Sequence, residues 1–365
     1  MDRAGPEGPG RRQRPQGAQE LTARAAPARS GSPGSSGGDG PVLAAALPST
    51  TGGPVATAID AAHVTYEAPD LEVMEKFLTA FGMVKAEGSD DRTLYMRGTG
   101  TQHHIHVTRK ADKQRFVGAS IEVAGYDDLV ELAAKPGSSP VRESTEPGGG
   151  HEVSMTMPDG IEIRAIWGRR KAEPIPDRDP FATNNVRDKN RVNAAVRQPV
   201  APCTIARLGH FVLHVKDHDA SMAWLNERFN FLPSDYFVPP GEEGPVVGTF
   251  VRLDLGERLV DHHFMLVLQS DWAGVHHSAF EVTDMDAVMS SHDYLVQQGY
   301  RLDVGVGRHL LGSQIFDYWK DPFGFRIEHY TDGDVVDHRH RPTKFNGTAS
   351  ETTQWGNRPP LEFFQ

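Results

Sequence analysis

One cysteine, Cys203, is all the chain has, so an internal disulfide framework and a cysteine-rich zinc site are both excluded. No run of about 18 apolar residues occurs, so no membrane-spanning helix is expected. A positive charge balance is also missing. Lys and Arg number 38 against 49 Asp and Glu, a net charge of −11, which leaves no basic footprint for nucleic acid. The start of the chain lacks the compact apolar core and cleavage site of a secretory signal. A cytoplasmic location is therefore expected.

Glycine and proline are abundant, but unevenly. Residues 1–55 hold 11 glycines and 8 prolines. Such a stretch cannot bury enough apolar surface to offset its ordering entropy, so a disordered extension is predicted there. A second polar stretch, 169–203, reads as a linker. Residues 334–365 read as a polar tail whose last residues, PPLEFFQ, offer apolar groups for docking. Two domains are predicted between these stretches, 56–168 and 204–333.

An internal repeat organises both domains. Ala62–Asp70, Gly209–Asp217 and His276–Asp284 each read as a strand that runs into an acidic turn. In each, a histidine stands seven residues before an aspartate: His63 and Asp70, His210 and Asp217, His277 and Asp284. Val117–Val123 is a weaker fourth copy. An amphipathic helix follows each strand, as with Met74, Phe77, Leu78 and Phe81 at i, i+3, i+4 and i+7. Short β-rich runs come next. The pattern predicts an α+β fold of two domains, each of two βαβββ modules with curved, cup-like sheets.

The chain has 17 histidines. His103, His104, His106, His338 and His340 lie in polar runs and are expected at the surface. Side chains alternate along a strand, so His210, Val212 and His214 share one face. The same holds for His277, Ala279 and Glu281, and for Arg326, Glu328 and Tyr330. His210, His277 and Glu328 occupy repeat-related positions on three strands. If the modules curl alike, all three enter one cavity. Two imidazoles and one carboxylate form the facial triad of non-haem Fe(II), and Mn(II) accepts the same ligands. His276, next to His277, is expected on the opposite face. The first domain offers His63, Gly118 and Arg164 at the equivalent positions. Glycine carries no ligand and arginine has no acceptor, so this domain is expected to be degenerate and without metal.

Gly307-Arg308-His309, then Tyr318, then Asp321-Pro322-Phe323-Gly324, then Glu328, resembles the signature of type I extradiol ring-cleaving dioxygenases. These belong to the vicinal oxygen chelate (glyoxalase/bleomycin-resistance/dioxygenase) superfamily. The resemblance spans roughly residues 57–333, with specific motifs only in the second domain. It implies Fe(II), or Mn(II), held by His210, His277 and Glu328. It implies a catalytic set in which His263 lies near bound oxygen and His309 and Tyr318 touch the substrate. The implied reaction inserts both atoms of O2 into a catechol-type vicinal diol, beside the hydroxyls, in aromatic hydrocarbon catabolism. It also implies a homo-oligomer. Asp317 departs from the family pattern, which carries an apolar residue before the tyrosine; the departure bears on the outward packing of that strand.

Three other readings share parts of this set. An enzyme similar to 4-hydroxyphenylpyruvate dioxygenase would use the same His-His-Glu ligands with a 2-oxo acid. Such enzymes resemble this chain less across His309–Tyr318. They also close with a C-terminal helix, to which Pro342, Gly347, Gly356, Pro359 and Pro360 are poorly suited. A glyoxalase-like isomerase needs a fourth protein ligand, for which the sequence offers no clear candidate. A phenol- or drug-binding protein of this fold commonly lacks the ligands, and all three are present here.

Overall fold

In the computed structural model, residues 42–44, 55–241 and 244–364 are described, the first three by their backbone alone. The strand–helix–three-strand unit recurs four times. The first unit runs Ala58–Ala68, helix Leu71–Ala80, then Val84–Lys85, Thr93–Arg97 and His106–Lys110. The second runs Arg115–Val123, helix Tyr126–Ala133, then Arg142–Glu143, His151–Thr156 and Glu162–Trp167. The third leads with Ile205–Val215 and helix His218–Asn226; the fourth leads with Gly274–Val282 and helix Met285–Gln297. The first two units share an eight-stranded sheet and the last two an eleven-stranded one. One apolar core runs through both halves, with Phe77, Phe81 and Ile121 from the first and Phe211, Phe280 and Trp319 from the second.

The aspartate of the sequence repeat is a helix cap. Asp70 accepts hydrogen bonds from the backbone N–H groups of Glu72 and Val73, Asp217 from Ala220, and Asp284 from Ala287. Each satisfies an N–H group that the first helical turn leaves unpaired. In the fourth copy Gly125 holds the cap position, and its own N–H donates to Asp128 (2.7 Å). The seven-residue spacing thus joins a side chain facing into the sheet's concave side to the start of the helix behind it.

The register confirms which positions correspond. His210 pairs with Ala279, which pairs with Glu328, while Val212 pairs with His277. In the first half His63 pairs with Ser120, which pairs with Arg164, while Thr65 pairs with Gly118. A Cβ on Gly118 would lie 1.9 Å from the Glu162 carbonyl oxygen, so that position has no room for a histidine. Arg164 instead reaches Glu146 (2.7 Å), and Arg169 reaches the other Glu146 oxygen (2.7 Å). Both guanidinium groups also contact His63, and His104 contacts Glu146 (3.3 Å). The first cup is filled by charged side chains.

Three expectations need correction. His103, His104 and His106 are buried, not at the surface, because the strand they enter is flanked on both sides by others. Second, Val42–Ala44 is not irregular: it pairs antiparallel with Thr343–Phe345. The remainder of the predicted disordered extension, apart from Val55, lies outside the described residues. Third, His276 does not face away from His277. The register slips between Val212 and Leu213, so two residues of Gly274–Val282 oppose one, as in a β-bulge. The two rings meet through their Nδ1 atoms at 2.6 Å. The tail, whose apolar end was expected to dock, closes on the second half, without an α-helix among the described residues. Thr343–Phe345 pairs with Phe231–Phe237, Thr353–Gly356 pairs with Arg301–His309, and a 3-10 turn, Leu361–Phe364, follows.

Glu146 is the single carboxylate that both Arg164 and Arg169 engage in the first cup. Glu146→Gln is expected to destabilise the protein by about 3–5 kcal/mol, the usual consequence of leaving a buried charge uncompensated. Urea denaturation of the variant against the parent checks this; equal midpoints would contradict it.

Candidate metal centre

Three adjacent strands, Ile205–Val215, Gly274–Val282 and Arg326–Thr331, bring His210, His277 and Glu328 to one point. The Nε2 atoms of the two histidines are 3.4 Å apart. Glu328 Oε2 lies 3.3 Å from His210 Nε2 and 3.1 Å from His277 Nε2. Such spacings suit neighbouring ligands of one first-row ion, whose bonds run about 2.0–2.2 Å. All three side chains are buried.

Hydrogen bonding tests the fit of a cation. Both Glu328 oxygens are buried without a hydrogen-bond donor in good geometry, as is His210 Nδ1. A buried, unpaired carboxylate is costly, and a bound cation removes that cost. Burial would raise the Glu328 carboxyl, yet His210, His277 and His309 beside it hold it well below the usual range. Burial pushes His277 down to about 4, so its imidazole is neutral, as a metal ligand must be. His277 leans through Nδ1 on His276, whose Nε2 meets the Phe363 carbonyl (2.6 Å) and the Arg326 guanidinium. That contact turns His277 Nε2 toward Glu328.

Among the described residues two other groups could by composition hold a metal, and neither has the same need. His63, His104 and Glu146 already enclose two guanidinium groups. Asp235, His262 and His340 are satisfied by hydrogen bonds: Asp235 to His262 (2.8 Å) and Thr343, His340 to the Ser234 carbonyl (3.0 Å).

A cavity opens beside the triad, with His210 and His277 in its lining. His263, His309 and Tyr318 line it; His262 does not. The His263 ring lies 4.4 Å from that of His210. Burial first, then His210 and His262, hold His263 well below its ordinary value. His309 Nε2 lies 2.8 Å from Tyr318 Oη and 3.7 Å from Glu328 Oε1. Burial and the Glu328 charge raise the Tyr318 phenol well above its ordinary value, so it stays protonated. Val212, Phe250, Leu266 and Phe364 make an apolar wall. No Lys or Arg lines this cavity among the described residues. Phe364 and Thr352 come from the tail, and their place here was signalled only by the apolar end of the sequence. Asp317 points away from the cavity and accepts hydrogen bonds from His292 (2.9 Å) and Trp319 (2.6 Å), which accounts for a carboxylate on the packed outer face of that strand.

The fold and the site define a class. Residues 207–329 match the family model of the Glyoxalase/Bleomycin resistance protein/Dioxygenase superfamily. The whole carries the vicinal oxygen chelate fold. Metapyrocatechase 2 of Cupriavidus necator is 26% identical over 274 residues, 75% of this chain and 81% of its own length. Two solved structures share the fold. The Mn(II)-bound glyoxalase from Novosphingobium aromaticivorans has a TM-score of 0.70 at 20% identity, covering 85% of this chain and 95% of that one. Homoprotocatechuate 2,3-dioxygenase from Brevibacterium fuscum, in complex with 3,4-dihydroxyphenylacetate, has a TM-score of 0.70 at 17% identity, covering 85% and 92%.

Metal analysis of the protein after loading is expected to give one ion per chain, because guanidinium groups already fill the first cup. Elemental analysis against protein concentration checks this, and two ions per chain would contradict it.

Proposed function

We propose that the chain is an extradiol ring-cleaving dioxygenase that opens a catechol-type vicinal diol, with Fe(II) held by His210, His277 and Glu328. The observation that carries this reading is Glu328: a buried carboxylate without a hydrogen-bond donor in good geometry, set 3.1–3.3 Å from two imidazole nitrogens whose rings line a cavity. Two histidines and one carboxylate with open positions are the ligand set of non-haem Fe(II) oxygenases. The kinship with Metapyrocatechase 2 supports the same reading.

When bound, the metal supplies Lewis acidity and holds the diol next to dioxygen. The chain's own groups do the rest. Tyr318 stays a phenol and donates its hydrogen to a substrate oxygen. His309, 2.8 Å away, keeps that hydroxyl oriented. His263, neutral at physiological pH, takes or returns a proton at its cavity-facing nitrogen. The apolar wall of Val212, Phe250, Leu266 and Phe364 receives the ring. Among the described residues no Lys or Arg lines the cavity, which favours a ring without a carboxylate substituent. A glyoxalase-like isomerase would need a fourth ligand, and among the described residues no Asp or Glu lines the cavity to supply it.

Anaerobic loading with Fe(II), followed by oxygen uptake with a panel of catechols and 2-oxo acids, tests the reading. Uptake with catechols and a ring-opened product are expected; uptake only with 2-oxo acids would overturn it. His210→Ala, His277→Ala and Glu328→Ala are each expected to lose bound iron and turnover, and full activity in any one would remove that residue from the ligand set. His263→Phe is expected to retain iron but lose about 10²–10⁴ in kcat, the range for a positioned acid–base group. Tyr318→Phe should lose less, about 1–3 kcal/mol in transition-state stabilisation, since one hydrogen bond to a charged oxygen is removed.

A further inference from the structure

The two consecutive histidines of the third module, His262 and His263, do different things. His263 lines the cavity and His262 does not. Their rings stand nearly perpendicular, and their Nδ1 atoms lie 3.1 Å apart. On its far side His262 Nε2 is 2.8 Å from Asp235 Oδ2. Asp235 is fixed in turn through its other oxygen, which accepts from the backbone N–H of Thr343 (2.7 Å) and from the Thr343 hydroxyl. Thr343 belongs to the tail strand Thr343–Phe345, in register with Asp235.

We infer that Asp235 and His262, anchored by Thr343 of the C-terminal tail, form a positioning relay that fixes the orientation and tautomer of His263. A carboxylate only accepts, so His262 carries its hydrogen on Nε2 and donates it to Asp235. In the relay as inferred, that ring keeps its lone pair on Nδ1. His263 Nδ1 must be the donor in that contact, which leaves His263 Nε2 as the unprotonated nitrogen for the cavity. Without the carboxylate either tautomer of the pair is equally served.

Two further observations support a built arrangement. Gly312 stands against the junction, and a Cβ there would lie 3.0 Å from His262 Nδ1 and 3.5 Å from His263 Nδ1. Its φ of +78° also favours glycine. The second observation is an internal control. His103 and His104 occupy the equivalent places in the first half, and their Nδ1 atoms also lie 3.1 Å apart. There the inner ring, His104, is tied to Glu146, and His103 has no hydrogen-bonded carboxylate behind it. The outer carboxylate occurs only in the half whose cup is open.

The effect of the relay on turnover rests on the dioxygenase reading; its hydrogen bonds do not. Asp235→Asn and His262→Gln, in the full Fe(II)-loaded chain, are expected to lower kcat by about 10- to 100-fold, the usual scale for a group that orients an active-site ligand. Iron content and the KM for the diol should be unchanged. The double variant should be no slower than the slower single, because both changes break one chain. Wild-type kcat in both singles, losses that multiply, or a second ion bound at Asp235, His262 and His340 would overturn the relay.

A second measurement needs no variant. In the zinc-loaded, diamagnetic protein labelled with 15N-histidine, a coupling across the hydrogen bond between the assigned Nδ1 atoms of His262 and His263 is expected. Its hydrogen should reside on His263 Nδ1. Absence of the coupling, or the hydrogen on His262 Nδ1, overturns the inference even where a variant fails to fold. If the iron-loaded wild type opens no vicinal diol, the reaction assignment fails while the coupling still decides the relay.

Discussion

A carboxylate buried without a hydrogen-bond donor governs the second half of this protein. Glu328 sits on a central strand with both oxygens shut away from water. His277 beside it is neutral, and among the described residues neither Glu328 oxygen has a hydrogen-bond donor in good geometry. The surrounding packing is arranged around that need. The Nδ1 contact to His276 aims His277, Tyr318 packs against the His277 ring, and the His309 imidazole lies within 3.7 Å of the other Glu328 oxygen. Removing a cation from such a place would leave the strand holding an unpaired charge in a low-dielectric interior.

The first half shows the same architecture with the opposite solution. Arg164 stands at the register position equivalent to that of Glu328, and its guanidinium points into the first half's own cup. The charge there is reversed: Glu146, brought in by a loop, pairs with Arg164 and with Arg169, and Glu152 and Glu162 also reach Arg164. One half therefore keeps its cavity available while the other is closed by an internal ion network. Both solutions obey one rule, that a buried charge needs a partner. They differ in whether that partner is part of the chain.

The tail ties these features together. Residues after Asp334 run past both sides of the second cup. Thr343 holds Asp235, the Phe363 carbonyl meets His276, and Phe364 forms part of the cavity wall. A polar segment with several prolines has no period that predicts a helix, and it makes only short strands and 3-10 turns. Its contribution comes from single contacts at defined points, which backbone pairing places.

Much of this was legible in the sequence. Alternation along strands, together with the seven-residue step from histidine to a capping aspartate, located four modules and put His210, His277 and Glu328 on matching positions. Local rules suffice there, because side-chain direction in a strand and cap chemistry at a helix start depend on near neighbours alone. The chain's order also identified Gly118 and Arg164 as the places where the first half departs. Other features depended on the assembled structure. The bulge that turns His276 toward His277 is a mismatch between two strands, and neither strand carries it alone. His103, His104 and His106 look like surface residues in a polar run, but sheet order decides their burial. Glu146 reaches Arg164 from 18 residues away along the chain, and Thr343 reaches Asp235 from 108. Such pairings are set by which strands become neighbours, a property of the tertiary fold that no local pattern encodes.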